Sequence, residues 1–568
     1  MDECYFESVK LSRRGLLRTA AAMGATVLPF GSVQAQTTAK FSRRSVTDPA
    51  AAPALESYKK AIRAMLSLPP EDPRNWYRLA LVHTVDCPHG NWWFLPWHRG
   101  YVGWFERICR ELSGDPEFAL PYWDWTAEQR VPAVMFDDVL TPTNSAFIGG
   151  HDDFKRGFQE VVARSDMWKR VHTDGAFDDR TQYGQLLARG IRFPEDLWFD
   201  INDDPRGKFF FDLTRARGLS AAAPAFDART VRAVSTPRLL DALAPRDFLT
   251  FASPKTFSHS GLTGYGVLEG QPHNLVHLNV GGITAAPVGE AIEVTDVGGF
   301  MQANMSPVDP LFYLHHANID RLWDVWTRKQ QARQYPTLPD GYLIDPPPRL
   351  SDFARWRSEP FLFFIDEKGE PVSKVTAGDY AAIGDFDYTY TSGAGEDVVE
   401  MAVAAARTAG PARAVQRFTA DVSEPSANAI AAVAGLVRIP PALLAAGEGP
   451  NAVKLFAKVT VALSPLAHPR DLAVLVNAPD DSLGATPDSA SFAGQLAMFG
   501  HHTIHCPVTW TVPLSGPIEA QRASNVLNPA APVSIRVVAN PSASAHAMAT
   551  SGEDRPPFEV LSIVVEAH

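Results

Sequence analysis

The chain has 568 residues, of which 45% are hydrophobic and 20% charged, and its formal net charge at pH 7 is −12. This length exceeds a single compact core and indicates two or three domains. The acidic balance, without a basic stripe, argues against nucleic acid or an anionic membrane surface as partner. No apolar run reaches the roughly 18 residues that span a bilayer, which argues against a membrane-spanning protein.

The first 35 residues read as a targeting segment rather than as part of the fold. Arg13 and Arg14 precede a mildly apolar, alanine-rich run over residues 19–30, and small residues around Ala35 suit a signal peptidase. The order of these features resembles a bacterial twin-arginine export signal. That resemblance implies a protein exported in the folded state to the periplasm or beyond the cell.

The cysteine count is odd once this segment is set aside. Cys4 lies within it, which leaves Cys87, Cys109 and Cys506. In an oxidising compartment at least one of these three needs a fate other than an intramolecular disulfide.

From about residue 54 to 330 the apolar and aromatic residues recur mostly at helical spacing. Four helices are predicted there, over residues 76–83, 98–112, 272–277 and 310–326. Pro272 and Pro310 open the last two, because the first helical position tolerates proline. Residues 126–255 mix helix and loop signals and carry no recognisable motif.

The sequence pattern changes from helical to strand-like beyond about residue 350. Residues 361–365 predict a strand that a turn over 366–369 closes, and the Ala-, Gly- and Pro-rich stretch 393–450 reads as a linker that could contain a helix. Alternating apolar residues then predict strands over 453–463, 472–476, 535–538 and 558–565. Their spacing favours an antiparallel β-sandwich.

Histidines are concentrated in two aromatic-rich segments. The six that matter are His83, His89, His98, His273, His277 and His316. His273 and His277 are four residues apart on a predicted helix, so their rings project from the same face. Buried imidazoles in apolar surroundings need partners, and a metal ion supplies one. Imidazole suits copper, zinc, iron and nickel, so the ligand type alone does not select the metal.

Three local motifs restrict the choice of metal. Residues 94–99 read Phe-Leu-Pro-Trp-His-Arg, residues 272–277 read Pro-His-Asn-Leu-Val-His, and residues 309–321 carry Asp-Pro, a His-His pair and Asp-Arg. They resemble the copper-binding regions of the tyrosinase, catechol oxidase and haemocyanin family. The second motif has one residue fewer after Asn274 than the family pattern, which keeps its two histidines four residues apart.

The resemblance implies an α+β multidomain protein with two copper ions. A mainly α-helical catalytic domain over residues 36–345 would hold them in a four-helix bundle. A connecting segment over 346–450 and a C-terminal antiparallel β-sandwich over 451–568, which shields the site, would follow. His83, His89 and His98 are assigned to the first copper, and His273, His277 and His316 to the second. The adjacent His315 is expected to pack or hydrogen-bond beside the ligands.

The resemblance also implies roles for five neighbouring residues. Cys87 is expected to form a thioether with His89, as in fungal tyrosinases, against the simpler reading of a free or structural thiol. Glu269 and Asn274 would hold a water that accepts the proton of a monophenol, although Glu269 also suits a helix N-terminus. Asp320 is expected to hold an imidazole N–H or to pair with Arg321. Phe312 is expected to pack against a ligand ring or simply in the core.

The implied activity is oxidation of o-diphenols, and hydroxylation of monophenols, to o-quinones with O2. The open alternatives are a strict catechol or aminophenol oxidase, a haemocyanin-like oxygen carrier, and a zinc or iron hydrolase on the same histidines. The C-terminal cluster His501, His502, His505 and Cys506 is read as a loop or strand end at the domain interface rather than as a metal site. The oligomeric state is left open.

Overall fold

A computed structural model describes most of the chain from Ala39 onward. The described residues are 39–149, 153, 156–157, 159–160, 181–193, 196–197, 217–282, 299–302, 304–339, 352–407, 414–422, 432–445, 452–463, 472–479, 487–499, 507–539 and 558–568. The predicted targeting segment and the cluster His501, His502, His505 and Cys506 lie outside the described residues.

Helices dominate the first part of the described chain. They are α1 Ala52–Ser67, α2 Trp76–Asp86, α3 Phe94–Ser113, α4 Gln182–Ala188, α5 Ala228–Ala233, α6 Thr236–Leu243, α7 Phe248–Phe251, α8 Asn274–Gly281, α9 Leu311–Arg333, α10 Asp352–Ser358 and α11 Asp397–Ala406. Two further helices, α12 Pro441–Leu444 and α13 Ser515–Ala523, accompany the later strands. No helix among the described residues is both long enough and apolar enough to cross a bilayer.

The four predicted helices are present as α2, α3, α8 and α9. Helix α3 begins at Phe94, four residues before the predicted start, because Pro96 falls in the first turn, where its missing N–H leaves no bond unmade. It ends at Gly114, whose φ of 68° is the left-handed conformation that glycine favours at a helix end. Pro272 lies in a π-helical turn, Glu269–His273, directly before α8, and Pro310 caps α9.

Strands make up most of the remainder. They are β1 Phe41–Arg43, β2 Gly264–Tyr265, β3 Tyr388–Tyr390, β4 Gln416–Thr419, β5 Asp421–Val422, β6 Ala432–Val437, β7 Leu455–Leu463, β8 Leu472–Val476, β9 Phe492–Gln495, β10 Val508–Pro513, β11 Val533–Ala539 and β12 Phe558–Ala567. Two five-stranded sheets, in the orders β2-β10-β7-β12-β4 and β5-β6-β11-β8-β9, share one apolar core. The predicted sandwich of largely antiparallel strands is therefore confirmed.

The helical body and the sandwich are joined through a strand. Strand β2, which comes shortly before α8, pairs in parallel with β10 through Gly264 and Thr509. The sandwich is thus anchored next to the π-helical turn that leads into α8. A separate parallel pair, β1 with β3, ties residues 41–43 to residues 388–390.

Two parts of the predicted secondary structure need correction. Strands β4, β5 and β6 lie within the stretch predicted to be a linker, so the C-terminal run of sandwich strands begins at Gln416 rather than at residue 453. Strands β4 and β5 are short and largely exposed edge strands, which carry little alternation for a sequence pattern to detect. Residues 361–365 form no regular strand, because Phe361 and Phe364 instead pack into the helical core. The helix expected in the linker is present as α11.

Candidate metal centre

Three elements bring the first histidine triad together. His83 lies on α2, His98 on α3, and His89 on the loop between them. The ring centroids are 5.2–5.8 Å apart, and all three side chains are buried. A fully helical segment could not supply the third ring, because His83 and His89 are six residues apart and would face away from each other on one helix.

The second triad comes from the π-helical turn, α8 and α9. His273 ends the turn, His277 lies four residues later on α8, and His316 projects from α9. Their centroids are 4.6–5.4 Å apart, and all three are buried. The Nε2 atoms of His277 and His316 are 3.2 Å apart. This separation is short enough for both nitrogens to bind one metal ion.

The two triads form a single centre. The rings of His98 and His316 stack with 4.2 Å between centroids and 7° between planes. The rings of His89 and His273 also stack, at 5.7 Å. These elements therefore place six imidazoles around one buried volume, an arrangement that can hold two adjacent metal ions.

The hydrogen bonds of the rings fix which nitrogen faces that volume. The Nδ1 atoms of four histidines each contact a protein oxygen: His83 with Asn304 O at 2.8 Å, His98 with Phe94 O at 2.8 Å, His277 with Met301 O at 2.6 Å, and His273 with Asn274 Oδ1 at 2.8 Å. An oxygen acceptor requires the proton to be on Nδ1, which places the lone pair on Nε2.

The residues present fit a pair of copper ions. Burial lowers the pKa of His83 and of His273 to about 3, and it also lowers the pKa of His98, His277 and His316, so neutral ligand-competent imidazoles dominate near pH 7. Among the described residues, Nε2 of His98 and Nε2 of His273 have no hydrogen-bond partner although both atoms are buried. Buried orphan nitrogens are costly, and metal ions offset that cost.

The loop that carries His89 is tightly confined. Cys87 Sγ lies 3.4 Å from Nδ1 of His89. Gly90 has a φ of 64°, and a Cβ at this position would come within 2.1 Å of Leu262 Cδ1. Glycine adopts this positive φ without strain and leaves room for the side chain of Leu262, which suits it to the turn beside His89.

Glu269 and Asn274 are both next to the centre, but each is already bonded to protein. Glu269 accepts from Gly90 N at 2.8 Å and from Ser253 Oγ, so it links the π-helical turn to the His89 loop. Burial raises the pKa of Glu269 well above its usual range, and these two hydrogen bonds only partly oppose that effect. Asn274 donates from Nδ2 to Ala497 O at 3.0 Å while its Oδ1 faces His273.

His315 and Phe312 pack against the ligand rings from α9. The ring of His315 lies 5.2 Å from His273 and 4.7 Å from His277, and neither of its nitrogens has a hydrogen-bond partner among the described residues. Phe312 lies 4.2 Å from the ring of His316 and 5.0 Å from that of His83. Phe312 therefore contacts a ligand ring of each triad.

Asp320 differs from its predicted contacts. Among the residues that the structure describes, it contacts neither an imidazole nor Arg321. Instead its carboxylate accepts from Arg99 Nε at 2.6 Å and from the hydroxyls of Tyr388 and Tyr390 at 2.5 and 2.6 Å. Burial alone would raise the pKa of Asp320, but the charges of Arg99 and nearby Arg43 hold it below its usual value. Because Arg99 follows His98, this cluster connects α3 to α9 behind the metal centre.

A cluster of buried charged side chains lies behind the His89 loop and was not predicted from the sequence. His259 contacts Asp86 Oδ1 through Nε2 at 2.9 Å and Glu359 Oε1 through Nδ1 at 2.7 Å. The other oxygen of Asp86 accepts from Trp97 Nε1 at 2.7 Å, and Trp97 precedes His98. Burial acts to lower the pKa of His259, but the two carboxylates outweigh it and raise that pKa. The two carboxylates therefore favour an imidazolium between α2 and α10.

A phenylalanine from the sandwich covers the centre. The ring of Phe499 stacks on His277 at 4.0 Å and 22°, and its edge contacts are at 5.0 Å from His89 and 5.7 Å from His273. Its carbonyl accepts from the hydroxyl of Tyr265 at 3.1 Å. Gln271 holds the same segment by donating to Gln495 O at 2.6 Å. Phe499 touches imidazoles of both triads, and no local sequence signal marks it.

Comparison with known proteins agrees with this geometry. Residues 73–329 match the model of the common central domain of tyrosinase, and the match spans both triads. This part of the chain is therefore similar to the central domain of tyrosinases. The latent chloroplastic polyphenol oxidase of Prunus armeniaca is 27% identical over 340 residues, which are 56% of this chain and 43% of the relative. The (+)-larreatricin hydroxylase of Larrea tridentata is 28% identical over 337 residues, 56% of this chain and 44% of the relative. The matched region thus spans less than half of these relatives.

Solved structures extend the likeness of fold to the sandwich. A latent aurone synthase, a polyphenol oxidase, aligns over 94% of this chain and 90% of its own, with a TM-score of 0.53 and 18% identity. A latent apple tyrosinase aligns over 94% and 99%, with a TM-score of 0.51 and 18% identity. The pairing of a helical domain with a C-terminal β region is therefore shared with these proteins.

Proposed function

We propose that this chain is a copper-dependent phenol oxidase that converts o-diphenols to o-quinones with O2. The observation that carries the proposal is the pair of adjacent, buried histidine triads with neutral imidazoles turned inward. A bound copper pair would supply oxygen activation and the two-electron capacity that quinone formation needs. The chain's own residues would hold the metals, exclude water and orient the phenol ring.

The substrate would approach the side of the centre that Phe499 now covers. The ring of Phe499 lies flat over His277, in the position and orientation that suit a phenol ring between the two triads. The surrounding imidazoles and Phe312 provide edge and face contacts for an aromatic ring. The proposed substrate class is therefore a planar phenol small enough to replace one phenylalanine side chain.

Monophenol hydroxylation is the finer part of the proposal. A monophenol must lose a proton whose reference pKa is about 10. Glu269 and Asn274 flank His273 and would hold a water that accepts this proton. In the covered state Asn274 donates to Ala497 O, so the proposed role requires the cover segment to move away from Asn274.

Cys87 and His89 are proposed to form a thioether. The supporting observation is the 3.4 Å separation between Cys87 Sγ and His89 Nδ1 inside a buried loop. Sγ would bond to a carbon of the His89 ring, and the two hydrogens lost, one from the thiol and one from that carbon, would pass to O2, the oxidant of the proposed reaction. The bond would restrain the ring of His89 and would remove one of the three cysteines predicted to remain after export.

The sandwich is proposed to keep the enzyme latent. Phe499 occupies the proposed substrate position, and hydrogen bonds from Tyr265, Gln271 and Asn274 hold its segment in place. Access would require this segment to move or the chain to be cut. Export by the twin-arginine route remains the proposal for residues 1–35.

Three alternatives make different predictions. A strict catechol or aminophenol oxidase would consume O2 with a diphenol but not with a monophenol. A haemocyanin-like oxygen carrier would bind O2 without turnover. A zinc or iron hydrolase would contain little copper. Metal analysis of the purified protein, followed by O2 uptake on catechol and on a monophenol by wild type and by Phe499→Ala, in which the proposed cover is removed, separates all of them from the proposed function.

A further inference from the structure

The loop that carries His89 lies between the two helices that orient the other ligands of the first triad. His83 is fixed by α2 and His98 by α3, whereas residues 87–93, which include His89, belong to neither helix. Helical hydrogen bonds therefore do not set the backbone of this loop. Contacts from other segments are needed to hold the ring of His89 towards the centre.

Arg189 reaches the start of this loop from the part of the chain in which the sequence showed no motif. It directly follows α4, and its guanidinium donates from Nη2 to Asp86 O at 2.6 Å and from Nη1 to Cys87 O at 3.1 Å. Asp86 is the last residue of α2, and the last carbonyl groups of a helix have no partner within it. One planar group thus bonds two successive carbonyls and fixes the direction in which the chain leaves α2.

The other end of the loop is held from a different side. Gly90 N donates to Glu269 at 2.8 Å, and Asn91 Nδ2 donates to Gly261 O at 2.8 Å. Both contacts follow His89 in the chain, whereas the two contacts of the arginine precede it. The imidazole is therefore oriented between two held points, and without the first of them the backbone on that side would be free to rotate.

The guanidinium of Arg189 is largely buried, and acidic groups compensate for that burial. Burial lowers the pKa of Arg189, and the charge of Asp86 and, less strongly, that of Glu359 oppose this effect. Among the described residues its hydrogen bonds run to backbone carbonyls, the third being His259 O at 3.5 Å. The side chain therefore acts on the backbone of the loop, while nearby carboxylates balance its charge.

We propose that Arg189 is a positioning residue for the first copper ion. It holds the start of the loop so that the imidazole of His89 meets those of His83 and His98. The inference rests on the proposed copper centre and concerns how tightly one of its two ions is bound. An arginine that only stabilised the fold would alter the binding of both ions alike.

The direct test is anaerobic titration of the full chain with copper(I) in competition with bicinchoninate and bathocuproine disulfonate, two chelators of graded affinity. Arg189→Met removes the N–H groups from a side chain of similar length. Arg192→Met is the matched control, because it removes an arginine from the same segment whose side chain is 65% exposed. We expect wild type and control to bind two ions alike. Arg189→Met should bind one ion normally and the other about tenfold or more weakly, the loss typical of groups that orient a ligand.

Two outcomes overturn the proposal. One is that Arg189→Met binds both ions with wild-type affinity, and the other is that both ions are weakened to the same extent. A wild type that binds no pair of ions refutes the proposed copper centre itself, so the failure of that centre is distinguishable from the failure of the role of Arg189.

A conservative variant separates the hydrogen bonds from the charge. Arg189→Lys keeps the positive charge but replaces the planar fork with a single ammonium group. It should weaken the same ion as Arg189→Met, though to a smaller extent, and it decides the question alone if Arg189→Met fails to fold. Full wild-type affinity in Arg189→Lys would assign the effect to charge and contradict a hold on two carbonyls.

A double variant tests whether Arg189 acts through His89. Residues that act through one another give effects that do not add. In a chain that already carries His89→Ala, the additional change Arg189→Met should therefore weaken copper binding by less than about twofold. A further loss as large as that in the wild-type background would place the action of Arg189 elsewhere and contradict the proposal.

Discussion

Replacing Phe499 with alanine should activate the protein towards small catechols. The ring makes one stacked and two edge contacts with ligand imidazoles, at 4.0, 5.0 and 5.7 Å. Aromatic pairs contribute about 0.5–1.5 kcal/mol each, so the covered state loses about 1.5–4.5 kcal/mol in the variant. At about 1.4 kcal/mol per tenfold change in an equilibrium constant, uncovering becomes about tenfold to a thousandfold more favourable.

The assay is initial O2 uptake with catechol on copper-loaded wild type and Phe499→Ala. We expect kcat/KM to rise at least tenfold with unchanged copper content. Phe418→Ala is the matched control, because it removes the same ring from the sandwich at a partly buried position on strand β4. If both variants behave like wild type, or if Phe418→Ala activates equally, Phe499 is not the covering group.

Three further changes test other parts of the site. His259→Gln should flatten the pH dependence of the free energy of unfolding. Carboxylates raise the pKa of His259 in the folded state, so the stabilisation by His259 is complete below its unfolded pKa of about 6.5 and declines as pH rises through the folded pKa. Urea unfolding of wild type and variant from pH 6 to 9 measures this difference. Cys87→Ser should abolish a cross-link that intact-mass analysis detects as a loss of two hydrogens in the copper-loaded wild type; a wild type with the full uncross-linked mass contradicts the thioether. Glu269→Gln should reduce monophenol turnover about 10²- to 10⁴-fold and catechol turnover much less, and an equal loss of both would assign Glu269 only the linkage to Gly90.

The fold and the metal centre could be predicted largely because their signals are local. The histidine spacing in α8, the Asp-Pro start of α9 and the alternation in β7 and β12 each lie within a few consecutive residues. Local periodicity reports which face of an element is buried, and the helices and strands that carry it are present as predicted.

The remaining features depend on contacts between distant segments. Asp320 accepts from Arg99, 221 residues away, rather than from its neighbour Arg321, and nothing in either local sequence distinguishes the two arginines. Phe499 reaches His277 only because β2 pairs with β10 and brings the sandwich to the π-helical turn. The edge strand β4 was missed because four largely exposed residues show no alternation. Such contacts depend on tertiary packing, which the periodicity of apolar residues in the sequence does not reveal.

The measurement that tests the central claim most directly combines metal content with reactivity on one sample. The purified chain is loaded with copper, its copper content is determined, its absorption is recorded on addition of hydrogen peroxide, and O2 uptake with catechol is then followed. The account predicts two copper ions per chain, an intense near-ultraviolet band and O2 consumption, each lost when His98 or His316 is replaced by alanine. Two copper ions per chain without that band, or copper that remains bound after either replacement, would contradict a coupled pair held by the two triads.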